Sequence, residues 1–273
     1  MTLGAETTVE PAHASLAKTG CILLAAGIAG ALLVLPYVLE LEADALHAAV
    51  LKSGLRLTTV LAVSMLQTSI LLAIAVFAGL WAARKLGLGA PLLDALLRGE
   101  RIGRPALRAL SAAAGIGLLA GAVIVFLDQR VFPPLHAHTS AAPVAEPAAW
   151  KGFLASFYGA IDEELLFRLG LLSLLALALE RLAALFRGAR KELGAVVFWS
   201  ANFATAIAFG LGHLPATAAV ATVTPIVVAR AVVLNGIAGV ACGWLYWRRG
   251  LEAAMVGHFT ADLVLHVAVP LAR

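Results

Sequence analysis

Seven stretches of the chain are almost wholly apolar: residues 20–39, 57–82, 107–127, 151–179, 194–213, 224–246 and 252–270. Each is near or above the ~20 residues a helix needs to cross a bilayer. The runs are continuous and do not alternate, which excludes a membrane β-barrel. The pattern therefore predicts an all-α fold, a polytopic transmembrane bundle of about seven spans. Residues 215–224 are the ambiguous stretch. They extend the sixth span, form a re-entrant piece, or supply an eighth crossing.

The polar positions between the runs set the organisation. Residues 1–19 read as a polar N-terminal segment and 20–273 as one transmembrane domain. Residues 1–17 and the loop 128–150 read as its mobile parts. In 86–104, Leu92, Leu93, Leu96 and Leu97 share one face and are followed by Arg98, Glu100 and Arg101, which predicts an amphipathic helix lying in the interface. That segment and the basic loop 181–192 would favour anionic lipid. Lys and Arg sort by side, with thirteen on the side of Lys18, Arg84 and Arg248 and five on the side of Lys52 and Lys151. The positive-inside rule then places the N-terminus in the cytoplasm, and a bacterial inner membrane is the expected location. No internal repeat is visible.

Composition agrees. The chain of 273 residues is 62% hydrophobic and 13% charged, with a mean hydropathy of +0.95, against about 25% charge in a soluble domain. The net charge of +4 is spread between apolar runs, which excludes a nucleic-acid face. Cys21 and Cys242 lie in apolar stretches and read as small buried hydrophobes. Oligomeric state is not readable.

Against this background the segment Ala160-Ile-Asp-Glu-Glu-Leu-Leu-Phe-Arg168 is costly, because a charge near mid-bilayer costs at least about 2.5–3.5 kcal/mol. Glu164 and Arg168 stand at i and i+4 and can neutralise each other. Glu163 points elsewhere and has no local basic partner. Asp162 reads as solvated near the membrane edge. His213 ends the fifth run, and His258 and Asp262 share a face of the seventh. At ~1.5 Å per residue, Glu163 lies about 18 Å in from Lys151 and His258 about 12 Å in from Gly250 on the opposite edge, so the two reach one depth. His213 joins them only if its helix end is recessed. Arg230 and Asn235 read as an inter-helix polar pair, and His266 as a hydrogen-bonded interface residue.

In chain order these residues spell E-E-x-x-x-R (Glu163, Glu164, Arg168), F-x-x-x-H (Phe209, His213) and H-x-x-x-N/D (His258, Asp262). The pattern resembles the CAAX protease and bacteriocin-processing (CPBP) family of intramembrane proteases, which includes the endopeptidase of prenylated CAAX proteins. The resemblance covers roughly residues 150–270. It implies Glu163 as the residue that activates water, with Glu164 and Arg168 orienting the site. Asp262 stands where the prenyl-protein enzymes have Asn.

The residues suit that chemistry. No Ser/His/Asp or Cys/His set and no H-E-x-x-H helix is present. Glu163 with His213 can deprotonate a water trapped in a cavity, while His258 and Asp262 hold the oxyanion. The expected substrate is a membrane-associated or small peptide, and no cofactor is required. One alternative is a zinc-dependent version held by Glu163, His213 and His258, three ligands with a fourth position open. Others are a non-catalytic scaffold or bacteriocin-immunity protein, and a proton-coupled transporter.

Overall fold

The computed structural model describes residues 15–132, 147–187 and 193–272. Seven helices are long and apolar enough to cross a membrane: α1 (Leu16–Leu41), α3 (Leu57–Lys85), α5 (Arg104–Arg130), α6 (Ala149–Phe186), α7 (Ala195–Ala219), α8 (Pro225–Arg249) and α9 (Leu251–Leu271). Two short helices lie between them, α2 (Ala43–Ser53) and α4 (Pro91–Leu97). No strand occurs among the described residues. The chain is an integral membrane protein with an all-helical bundle, as the apolar runs require.

Local chemistry explains the breaks. α1 bends at Val34, where Pro36 cannot donate to the preceding turn. α8 starts at Thr224, whose hydroxyl accepts from the Val227 N–H at 3.4 Å, followed by Pro225 at the first helical position. α6 packs on α1, α3 and α9, and α9 also packs on α5 and α8. The α5–α9 approach is backbone to backbone. A Cβ on Gly117 would collide with the Gly257 carbonyl and the Thr260 hydroxyl.

The main core joins Leu72, Val76 and Leu80 of α3 to Leu165, Leu169 and Leu172 of α6, and to Phe198, Leu245 and Leu251. A smaller cluster of Ile124, Phe132, Phe209, Leu234 and Ala238 lies beside the polar residues of α6.

Several expectations change. Residues 214–220 form a short helix that continues α7 past a turn at His213, so they extend the fifth span, not the sixth. No eighth crossing appears among the described residues. The interfacial helix shrinks from 86–104 to Pro91–Leu97. Asp94 on it is buried and accepts from the Thr19 hydroxyl at 2.7 Å, because α1 supplies a donor at that depth. Cys242 is buried but Cys21 is exposed. Arg230 pairs with Asp128 at 2.6 Å, while Asn235 donates to Ala231 on its own helix at 2.9 Å. His266 lies 3.5 Å from the Tyr37 hydroxyl. Residues 1–14, most of the loop 128–150, and residues 188–192 of the basic loop fall outside the described residues.

Candidate active site

The acids of α6 lie on an unusual stretch of backbone. Gly159–Leu172 is wound as a π-helix, a winding rare in proteins and frequent at functional sites. It carries Glu163, Glu164 and Arg168 on one element and presents the two glutamates to different neighbours.

Glu164 faces inward. Its side chain has 0% exposure and its Oε1 lies 3.2 Å from the Arg168 guanidinium. The same oxygen accepts from His258 Nδ1 at 2.7 Å. Arg168 also donates to the Gly239 carbonyl at 3.4 Å and stacks 4.6 Å above the Phe209 ring. The charge of Glu164 is thus matched by a buried cation and a ring N–H. Such a pair tolerates loss of one partner badly, at about 3–5 kcal/mol, because the other charge is stranded.

Glu163 faces outward and meets both histidines. Its Oε1 lies 3.8 Å from His213 Nε2, and its Oε2 lies 3.6 Å from His258 Nε2. Its side chain is 18% exposed and that of His213 is 32% exposed, so the pair opens to the surface. Both gaps exceed hydrogen-bond length.

His213 reaches Glu163 because α7 runs on to Ala219, which leaves the residue recessed inside the span. Its Nδ1 lies 2.8 Å from the Phe209 carbonyl. A donating Nδ1–H there leaves Nε2, in the neutral ring, with a free lone pair toward Glu163. His258 is held the same way by Glu164. Asp262 Oδ1 lies 3.6 Å from His258 Nε2, so these two share a face as their spacing predicts.

Phe209, the first residue of the F-x-x-x-H motif, packs edge-on against His213 and His258, with ring centroids 4.7 and 5.8 Å away, and it forms a wall under the site. One support is not visible in the motif spacing: Gly159 lies against the other side. A Cβ there would collide with Asp262 Oδ2 and come within 3.2 Å of His258 Nε2. Only its position one turn before the paired glutamates hints at this, and the chain has 25 glycines.

Asp162 is placed otherwise than expected. It is fully buried, and neither carboxylate oxygen has a hydrogen-bond partner among the described residues. It abuts Gly30 of α1, since α1 covers that face of α6.

The donor sets were tested for a metal. Zinc holds N and O ligands at about 2.0–2.2 Å, which needs donors tightly gathered. Glu163, His213 and His258 do not bring one donor atom each within 4.8 Å of one another, whereas Glu164, Cys242 and His258 do. In the latter set the Glu164–His258 contact of 2.7 Å is a hydrogen bond and Arg168 takes the same oxygen. Neither trio fits zinc as placed.

Residues 145–264 match the family model described as type II CAAX prenyl endopeptidase Rce1-like. The match contains Glu163, Glu164, Arg168, His213, His258 and Asp262. No curated protein and no solved structure matches the chain. The matched residues run through α6, α7, α8 and most of α9, the helices that bring the carboxylates and histidines together. Residues 145–264 of this seven-span bundle are thus similar to the type II CAAX prenyl endopeptidases, intramembrane proteases of the CAAX protease (CPBP) family.

Proposed function

We propose that the chain hydrolyses a peptide bond of a membrane-associated or small peptide substrate, with Glu163 and His213 activating the attacking water. The observation that carries this reading is the outward carboxylate of Glu163, 3.8 and 3.6 Å from two imidazole Nε2 atoms. A water bound between Glu163 and His213 loses a proton to that pair as its oxygen bonds to the scissile carbonyl carbon. The C–N bond then breaks as the proton passes to the leaving amine, giving a carboxylic acid and a new amino terminus.

His258 and Asp262 face the position where the carbonyl oxygen gains charge. Because His258 Nδ1 is directed at Glu164, Nε2 can donate to an oxyanion only when both ring nitrogens carry protons. Asp262 can donate only when protonated, a constraint that Asn would not have. Glu164 and Arg168 act through His258 and are positioning residues.

The test is cleavage of a peptide substrate by purified protein in lipid. Glu163→Gln abolishes turnover while leaving thermal unfolding unchanged; full activity in that variant would overturn the reading. A zinc-dependent version requires the trio of Glu163, His213 and His258 to close by roughly 1 Å or more onto bonds of about 2 Å. Elemental analysis of active protein separates it, since turnover that tracks bound zinc would establish it. A non-catalytic scaffold predicts no effect of Glu163→Gln on the cellular phenotype. The thirteen-residue basic side supports a cytoplasmic N-terminus.

A further inference from the structure

α5 begins with an unusual arrangement of charge. Arg104 and Arg108 stand at i and i+4, like charges that repel on a helix. No acidic residue occupies the first turn and no side chain caps it, although the positive end of the helix dipole favours anions there. Among the described residues neither arginine has a hydrogen bond or ion pair. The nearby acid, Glu100, is held by Arg98 at 2.5 Å. Arg104 and Arg108 line a shallow, open surface hollow of about 300 Å³ together with Leu107 and Ser111.

The hollow continues into an apolar track. Positions 104, 108, 111, 115 and 118 recur at helical spacing and so lie along one face. All five are exposed. Ser111 spends its hydroxyl proton on the Leu107 carbonyl at 3.0 Å, which leaves a small, locally satisfied surface. At Gly115 a Cβ would meet nothing within 4 Å. Exposed Leu118 and Leu119 follow. A cationic hollow at the end of a span, opening onto a smooth strip that turns apolar with depth, matches one amphiphile in shape and polarity.

We propose that this face binds an anionic phospholipid, its phosphate between Arg104 and Arg108 and an acyl chain along Ser111, Gly115 and Leu118. Arginine forks suit phosphate oxygens. A membrane surface supplies such lipids on the side where basic residues gather. The site lies on α5, outside the residues that match the protease family, and it needs no catalytic group.

Native mass spectrometry of the delipidated full-length protein, titrated with phosphatidylglycerol or phosphatidylcholine in neutral detergent, tests this. The wild type retains phosphatidylglycerol in preference. Arg104→Gln with Arg108→Gln lowers its affinity roughly 30-fold, at about fivefold per basic residue near the surface, while Arg248→Gln with Arg249→Gln, which removes the same charge on the same side away from the hollow, lowers it clearly less. Gly115→Phe, which keeps both arginines and adds bulk where space is open, also weakens retention. Equal loss in the α8 control, or unchanged binding in both α5 variants, would overturn the proposal. So would displacement of the lipid by equimolar inorganic phosphate, or by a soluble acidic peptide that binds as tightly alone.

Discussion

Glu163 and Glu164 are neighbours in the chain and meet opposite surroundings. Glu164 is sealed at 0% exposure between Arg168 and His258. Glu163, at 18% exposure, meets among the described residues no cation except two histidines, His213 and His258, that are charged only when protonated. Glu164 has its Oε1 paired by the protein while its Oε2 lacks a hydrogen-bond partner among the described residues, and Glu163 is left for a reactant. The difference shows how a membrane bundle can carry several acids at one depth. It pairs Glu164 with a cation, buries Asp162 with no hydrogen-bond partner among the described residues, and leaves accessible the one with chemistry to do. His258 joins the two regions, with Nδ1 in the sealed one and Nε2 in the open one.

That division can be broken in four places. Glu163→Gln has the largest effect on turnover, a loss of about 10²–10⁴-fold as expected for a general base, measured as peptide cleavage in nanodiscs with unfolding followed alongside. Arg168→Met acts on the sealed region instead. It strands Glu164 and lowers stability by about 3–5 kcal/mol, read as the unfolding midpoint in detergent, and combining it with Glu164→Leu recovers much of the loss. Were the single Arg168 variant as stable as wild type, the inward pair would not be a structural lock.

Gly159→Ala tests the join between the regions. Alanine ordinarily stabilises a helix interior by about 0.5–1 kcal/mol relative to glycine. Here its methyl would push on Asp262 and His258, and turnover falls roughly 100-fold, the scale of a misplacement near 1 Å. Gly212→Ala is the matched control, since its methyl meets only the far end of the Phe167 ring at 3.2 Å. The smallest effect belongs to Asp262→Asn, which keeps the shape and supplies a permanent donor. Activity stays within about tenfold of wild type, the scale of one modest hydrogen bond, and a pH–rate profile shows whether the limb belonging to a protonated Asp262 has gone.

Much of this site was legible in one sequence. Charges inside apolar runs are expensive, so Glu163, Glu164, Arg168, His258 and Asp262 stand out by cost alone. The helical repeat pairs Glu164 with Arg168 and His258 with Asp262, and both pairs are present. Less legible was what each residue meets across the bundle. The inward carboxylate takes a histidine from α9, and Asp162, one residue earlier, is buried against α1. Both are long-range contacts with no local signature. The turn at His213, after which α7 runs on, falls between Gly210 and Gly212 on one side and Pro215, in the first turn of the continuing segment, on the other.

The sequence by itself determined the membrane environment, about seven crossings with an eighth left open, and the small set of side chains too polar to lie in lipid unpartnered, because burial of apolar length and the cost of charge are read residue by residue. Tertiary structure alone decided which glutamate is sealed and which is open, since that depends on the π winding of α6 and on which neighbouring helix covers each face. Backbone winding and the packing of distant segments are settled only when every helix competes for the same contacts.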